Sequence, residues 1–207
     1  FKRYNVAIGY GASGYTGGTA VGSGASSDTY GTAVGYGASG YNYGAALGAS
    51  AFGYDSGAAV GYGAQGYNYG AAVGYLAYGY NYGAAVGFNS YGYNYGAAVG
   101  RFARGIGYGA ALGTYAGYNI DATADRYNTL VGAYSGYRLT TGIGNIILGY
   151  QSGYDATYSP TTGSKNILIG FQAGTPANTT SNFLNIGNLI FATGINTATG
   201  TAISTGN

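Results

Sequence analysis

The sequence predicts an all-β fold, a repetitive β-solenoid, and two observations carry that prediction. The first is a tripeptide, Ala-apolar-Gly, centred on Ile8, Val21, Val34, Leu47, Val60, Val73, Val86, Val99 and Leu112, with 13 residues in every gap. The second is composition, since 44 of the 207 residues are Gly and 27 are Tyr. Self-similarity at a short fixed period marks stacked coils. A unit of 13 residues is too short for a helix pair, and each interior Gly costs a helix about 1 kcal/mol relative to Ala. Weaker copies of the tripeptide follow around Val131, Leu148, Ile169 and Ile186, at gaps of 19, 17, 21 and 17. The chain therefore reads as one array of about thirteen coils, a regular shaft over 1–113 and an expanded, loop-bearing shaft over 114–207.

Within the regular shaft each phase has its own chemistry. Four residues after the apolar centre stands a small residue, as at Ala38, Ala51, Ala64, Ala77 and Ser90. Seven and nine residues after it stand the pairs Tyr41 and Tyr43, Tyr67 and Tyr69, Tyr80 and Tyr82, Tyr93 and Tyr95, with Asn42, Asn68, Asn81 and Asn94 between them. Ten residues after it stands Gly, as at Gly44, Gly57, Gly70 and Gly83. Two short strands and two turns fit such a unit. One strand ends in the tripeptide, as Thr32-Ala33-Val34 does, and the other crosses the small residue. Gly at fixed phases supplies the positive-φ corners of a tight coil. Stacked at about 4.8 Å, the coils would make a rod on the order of 60 Å long.

The expected core is thin. Its inward residues are read as the Val, Leu or Ile of the tripeptide with Ala and Thr. At roughly 25 cal/mol per Å² this burial offsets little of the entropy of ordering each coil. Several rods sharing one core is the simplest remedy. Tyr at phases seven and nine has the strand parity of Ala at eleven and Val at thirteen, which places them on one face of a regular strand. Gly at phase ten can break that parity, so the direction of the rings stays open.

Past residue 113 larger aliphatics fill the strands, as in Ile146-Ile147-Leu148 and Ile167-Leu168-Ile169. The small residue is now followed directly by Gly, in Ala116-Gly117-Tyr118, Ser135-Gly136-Tyr137, Ser152-Gly153-Tyr154 and Ala173-Gly174-Thr175. Pro160 and Pro176 fall in the added loops, where a residue without an N–H belongs if the strands are paired. Asp121, Asp125, Arg126 and Arg138 gather in the same half.

Composition excludes much chemistry. Cys and His are absent, so there is no disulfide, no thiolate or imidazole metal site, and no Cys or Ser-His-Asp nucleophile. Seven basic and five acidic residues give a net charge of +2, too small and scattered for a nucleic-acid footprint. No run of 18 apolar residues is present to span a membrane. The chain opens on Phe1 without a charged segment ahead of an apolar one, so the expectation is a piece of a longer polypeptide with no signal peptide in it.

Several motifs have bland readings. Gly-x-Gly-x-x-Gly occurs at Gly9 to Gly14, Gly35 to Gly40 and Gly61 to Gly66, but the βαβ context and the following acidic residue that a dinucleotide needs are missing. Asp121 and Asp125, with Asp155, could form a glycosidase pair or hold calcium, yet they suit solvated loops and lack the spaced calcium-loop signature. Gly-Tyr and Asn-Tyr runs are also typical of prion-like disorder. Disorder, however, gives no reason to hold an aliphatic residue at one phase for nine coils. Asn178-Thr179-Thr180 is a chance-level glycosylation sequon. No cofactor, metal or catalytic residue is expected.

Val6-Ala7-Ile8-Gly9, with a small residue at Ala12, is similar to the head repeats of trimeric autotransporter adhesins. It departs from them in its 13-residue period and its tyrosines. Ile147 to Gly153 and Leu168 to Gly174 resemble shaft repeats of bacteriophage tail fibres and spikes. Phe183 to Gly194 resembles the segment that precedes the C-terminal intramolecular chaperone of those fibres, a chaperone this sequence lacks. The resemblance implies a parallel homotrimer, a left-handed β-roll or prism, used for attachment outside the cell on a virion or a bacterial surface.

The tyrosine ladders are the candidate binding feature. A Tyr ring offers an apolar face and an edge hydroxyl, which suit sugars. Tyr41, Tyr43, Tyr67, Tyr69, Tyr80, Tyr82, Tyr93 and Tyr95, with the amides of Asn42, Asn68, Asn81 and Asn94, are the expected contacts to host-surface polysaccharide. The competing expectation is a purely structural extracellular filament whose rings fill space that Gly and Ala leave empty. An ice-ordering surface is a lesser alternative.

Overall fold

Alternation in strands only three residues long decides the architecture. The central residue points one way and its two neighbours the other. The computed structural model describes residues 4–122 and 126–194. Among them the chain forms strands and turns and no helix, so none is long and apolar enough to cross a membrane. The strands make a β-solenoid with one sheet of 14 strands and a second of eight. Thirteen strands of the first sheet, from Val6–Ile8 to Phe183–Ile186, run parallel, and Ile190–Thr193 closes it as an antiparallel hairpin partner.

One regular coil shows the design. Its first strand is Ala71–Val73 and its second is Tyr78–Tyr80. Each pairs in register with the strand one repeat away, Ala71 with Ala84 and Tyr78 with Tyr91, so like stacks on like. Gly74 turns the corner at φ 134°, a region that suits only Gly, and its N–H reaches back to Val60 O at 2.8 Å. Ala77 is buried at that corner, and the second strand starts one residue later than the sequence suggested. The second corner is Tyr80-Asn81-Tyr82-Gly83. Asn81 and Tyr82 have φ of 48° and 62°, and Gly83 N donates to Tyr80 O at 3.0 Å. Those are the marks of a type I′ turn, whose two left-handed positions explain the Asn but strain the Tyr.

The core differs from the expected one. In the regular coils the inward residues are alanines and glycines, replaced by Ser27 and Ser90 at two places, with Ala20, Ala33, Ala46, Ala59, Ala72 and Ala85 forming the spine of one buried cluster. The Val, Leu and Ile of the tripeptide point outward, as Leu47, Val60, Val73 and Val86 do. The cause is the facing strand. A Cβ placed on Gly79 would lie 2.6 Å from the carbonyl carbon of Ala71, and one on Gly92 equally close to Ala84. Stacked sheets ordinarily stand about 10 Å apart; here one strand faces the other across little more than hydrogen atoms and methyls. Tyrosines at phases seven and nine share the outward parity, so the rings also leave the interior.

From the second sheet's last strand, Arg104–Ile106, onward the interior widens. Ile106, Ile120, Leu130, Leu139, Ile147 and Leu168 now fill it. Asn128, Asn145 and Asn166 form a buried ladder beside them. Asn128 Oδ1 accepts from Asn145 N and Nδ2 at 2.8 and 3.2 Å, and Asn145 Oδ1 accepts from Asn166 N and Nδ2 at 3.0 Å each. Each amide group also donates to a turn carbonyl, so the ladder fastens the expanded loops to the coil stack. Pro160 and Pro176 lie outside the strands.

The narrow interior makes a sharp prediction. Gly79→Ala should lower stability by about 1–3 kcal/mol through overpacking, whereas Ser23→Ala at an exposed turn should stay within about 0.5 kcal/mol. Denaturant unfolding followed by far-ultraviolet circular dichroism measures both, and equal stability of the two variants would refute the close approach.

Candidate functional site: the aromatic and amide ladders

The outward parity of the Tyr phases turns a 13-residue repeat into columns of rings. Tyr41, Tyr67, Tyr80 and Tyr93 lie half-buried on the outer face of the second sheet, while Tyr43, Tyr69, Tyr82 and Tyr95 stand exposed at the adjoining turn. The exposed column is stacked. Tyr69 and Tyr82 have centroids 5.0 Å apart and planes within 6°, Tyr82 and Tyr95 4.9 Å and 1°. On the sheet Tyr80 stacks on Tyr93 at 5.2 Å and 5°, while Tyr67 meets Tyr80 tilted by 58°. Asn68, Asn81 and Asn94 form an amide ladder between the columns, each Nδ2 donating to the next Oδ1 at 2.8 and 2.9 Å. Asn42 instead donates to Asp55 Oδ1 at 2.8 Å. Tyr41 belongs to an earlier, serine-rich part of the sheet, where its hydroxyl donates to Ser26 Oγ at 2.9 Å.

This geometry changes what the rings can offer. Inside a column both faces of a ring are covered by its neighbours, so solvent meets a ribbon of ring edges and hydroxyls. Only a ring at the end of a column, or beside a break in it, retains an open face for stacking. The exposed column breaks between Tyr43 and Tyr69, where Asp55 and Ser56 replace the Asn and Tyr of the neighbouring coils.

The ladders extend beyond the residues singled out from sequence. Tyr108 and Tyr127 continue the exposed column at 4.8 and 5.4 Å. Both stand four residues before an aliphatic centre, as Tyr95 does, and that phase was the available signal. At the opposite turn Tyr62, Tyr75 and Phe88 make another stack, with spacings of 5.2 and 5.1 Å. The Arg101 guanidinium lies 4.7 Å from the Phe102 centroid, and Arg104 caps Tyr91 at 5.3 Å. Tyr118, Tyr137 and Tyr154 form a further column that ends at a cleft of ≈ 730 Å³ beside Thr175.

The carboxylates are dispersed. Asp121 is 3.9 Å from the guanidinium of the buried Arg126. Asp155, two coils further on, accepts from Thr157 N and Tyr158 N at 2.7 and 3.1 Å, and these bonds hold its carboxyl below the usual range. Asp125 lies outside the described residues. No family model, curated protein or solved structure matches the chain.

Crowding also alters the phenols. Burial pushes Tyr78 up to about 12, and its neighbours Tyr91, Tyr67, Tyr80 and Tyr93 add to the effect. Tyr91 is raised by burial against the opposing pull of Arg104, and Tyr67 by burial and then Tyr80. A raised phenol pKa means that folding favours the neutral ring. Its stabilisation is complete below the unfolded value of about 10 and disappears as pH rises through the folded value. In Tyr78→Phe the phenolate absorbance titration should therefore lose its component near pH 12, and unfolding between about pH 10 and 12 should become less steep. An unchanged titration would show that Tyr78 is not crowded.

Proposed function

We propose that the protein is a shaft segment of a non-enzymatic attachment fibre, in which copies of the chain share a core and present their aromatic side to host-surface polysaccharide. The observation that carries this reading is the outer face of the first sheet. It consists of two columns, one running through Ala71, Ala84 and Ala97 and the other through Val73, Val86 and Val99, and no charged residue interrupts either. Val73, Val86 and Val99 are 43–44% exposed in the single chain. A flat apolar surface of this length calls for a partner. Its repeat matches a second copy of itself, and three copies in parallel would enclose it, as the resemblance to fibre shafts implies.

The aromatic columns occupy a different side of the coil and remain free for contact in such an assembly. Three chains carrying repeated rungs would bind through many weak contacts. The location that follows is extracellular, on a virion or a bacterial surface. The columns also favour a second reading, a purely structural filament, because stacking already occupies most ring faces within one chain. Binding of the native assembly to bacterial surface polysaccharide separates the two readings: binding that nitration of the exposed Tyr69, Tyr82 and Tyr95 abolishes supports attachment, and no binding before nitration supports the filament.

Light scattering tests the assembly itself. The native protein should have a mass that is a multiple of 20.7 kDa, and Val86→Asp, placed mid-face, should drive it toward the single-chain value with the β-sheet spectrum retained. A native mass of 20.7 kDa would remove the shared core and the reading built on it.

A further inference from the structure

The exposed tyrosine column occupies one phase of the repeat, at Tyr30, Tyr43, Tyr69, Tyr82, Tyr95, Tyr108 and Tyr127, and at one coil within it that phase is Ser56. We propose that this break is a binding site for a pyranose ring, which enters the column as the missing rung between Tyr43 and Tyr69. The proposal rests on the attachment reading and gives it a site.

The spacing fits. Tyr43 is stacked on Tyr30 at 5.4 Å and Tyr69 on Tyr82 at 5.0 Å, so each turns its second face toward the break. They are the more exposed rungs, at 64% and 61% against 52% for Tyr95 inside the column. Two coils separate them, which places the rings about 10 Å apart at the usual strand spacing. A ring at the midpoint would stand about 5 Å from each, within the spacing of 4.8 to 5.4 Å that intact rungs keep. The backbone is not interrupted there. Asp55 and Ser56 take the same left-handed conformation as Asn81 and Tyr82, at φ of 47° and 62°, so only the side chains are missing. What they leave is a pocket of ≈ 450 Å³, within the range of small-molecule sites.

The polar groups indicate which kind of ring. In the unbroken ladder each Asn Oδ1 accepts from the amide of the coil before it. Asp55 accepts from Asn42 but carries no N–H to pass on, so Asn68 Oδ1 is left without the bond that Asn81 Oδ1 receives. The break therefore presents a carboxylate, an amide oxygen and the Ser56 hydroxyl between two aromatic faces. That set is rich in acceptors and suits a ring that is apolar on its faces and edged with donors. A pyranose has that form. The Asp55 charge opposes a ring that carries its own carboxylate, so neutral sugars should enter and hexuronates should not.

The test uses Asp55→Asn with Ser56→Tyr, which restores the pattern of the adjacent coils and so preserves the fold. Saturation-transfer-difference NMR on the full chain, with chitotriose, maltotriose and lactose as neutral probes and trigalacturonate as the anionic one, reads the site. The wild type should receive transfer from at least one neutral probe and not from trigalacturonate. The double variant should bind about tenfold more weakly or worse, while its thermal midpoint rises by about 2–4 °C as the column closes. Tyr43→Ala should weaken binding without that rise. Equal binding by wild type and double variant, or transfer from trigalacturonate alone, would overturn the site. The attachment reading fails separately: the native assembly would then bind no bacterial surface whatever the soluble probes show. Attachment to cells that the double variant retains in full would sink this site and leave the reading intact.

Discussion

At Gly53, Gly66, Gly79 and Gly92 the two sheets of the regular coils come so close that one methyl group would overlap the facing backbone. The rest of the shaft follows from that approach. Glycine faces backbone across the interior, alanine fills what space remains, and the largest side chains to replace them before Ile106 are Ser27 and Ser90. The hydrophobic effect, which in most domains is satisfied inside the chain, has almost nothing to act on there. Valine, leucine and tyrosine are displaced to the outside, and the chain acquires an aliphatic side and an aromatic side in place of a core and a polar surface. Backbone hydrogen bonds carry the coil stack, running from each strand and each turn to the coil beside it.

The aromatic side satisfies itself along the axis. A ring in the left-handed conformation, such as Tyr82 or Tyr95, is strained, and stacking on the rungs above and below offsets that cost by about 0.5–1.5 kcal/mol per pair. The aliphatic side is not closed in this way, since Val73 and Val86 stack in register and still remain 44% exposed. The two sides therefore differ in what they demand. One closes within the chain except where a rung is missing, and the other stays open along its length. In the expanded half the balance shifts inward: Leu130, Ile147 and Leu168 fill a wider interior, and the Asn128, Asn145 and Asn166 ladder fastens the longer loops.

Much of this was legible in the sequence. The period, the number of coils, the strand at each tripeptide and the columns of Tyr and Asn all follow from phase alone. Phase does not say which parity is inside. Reading the tripeptide's valine as core was the natural assumption, and the close approach at Gly79 overturns it. That approach is visible only when Gly79 is seen to face Ala71 across the coil. The break at Ser56 was legible as a departure from the repeat, but its meaning was not. Only stacking shows that a Tyr inside a column has no face to offer while one beside a gap does.

A stack of coils in register is close to one-dimensional, and each coil answers mainly to its neighbours. A change of side chain at an outer phase therefore alters the local surface without disturbing the ladder beneath it. The coil containing Asp55 and Ser56 illustrates this, since its backbone angles match those of coils that carry Asn and Tyr. Such a fold separates the part that holds its length from the part that faces outward. The inner phases are confined by space to Gly, Ala and, at Ser27 and Ser90, Ser. The outer phases are confined only by what stacks on them, so the surface of this coil stack changes character where the repeat is broken.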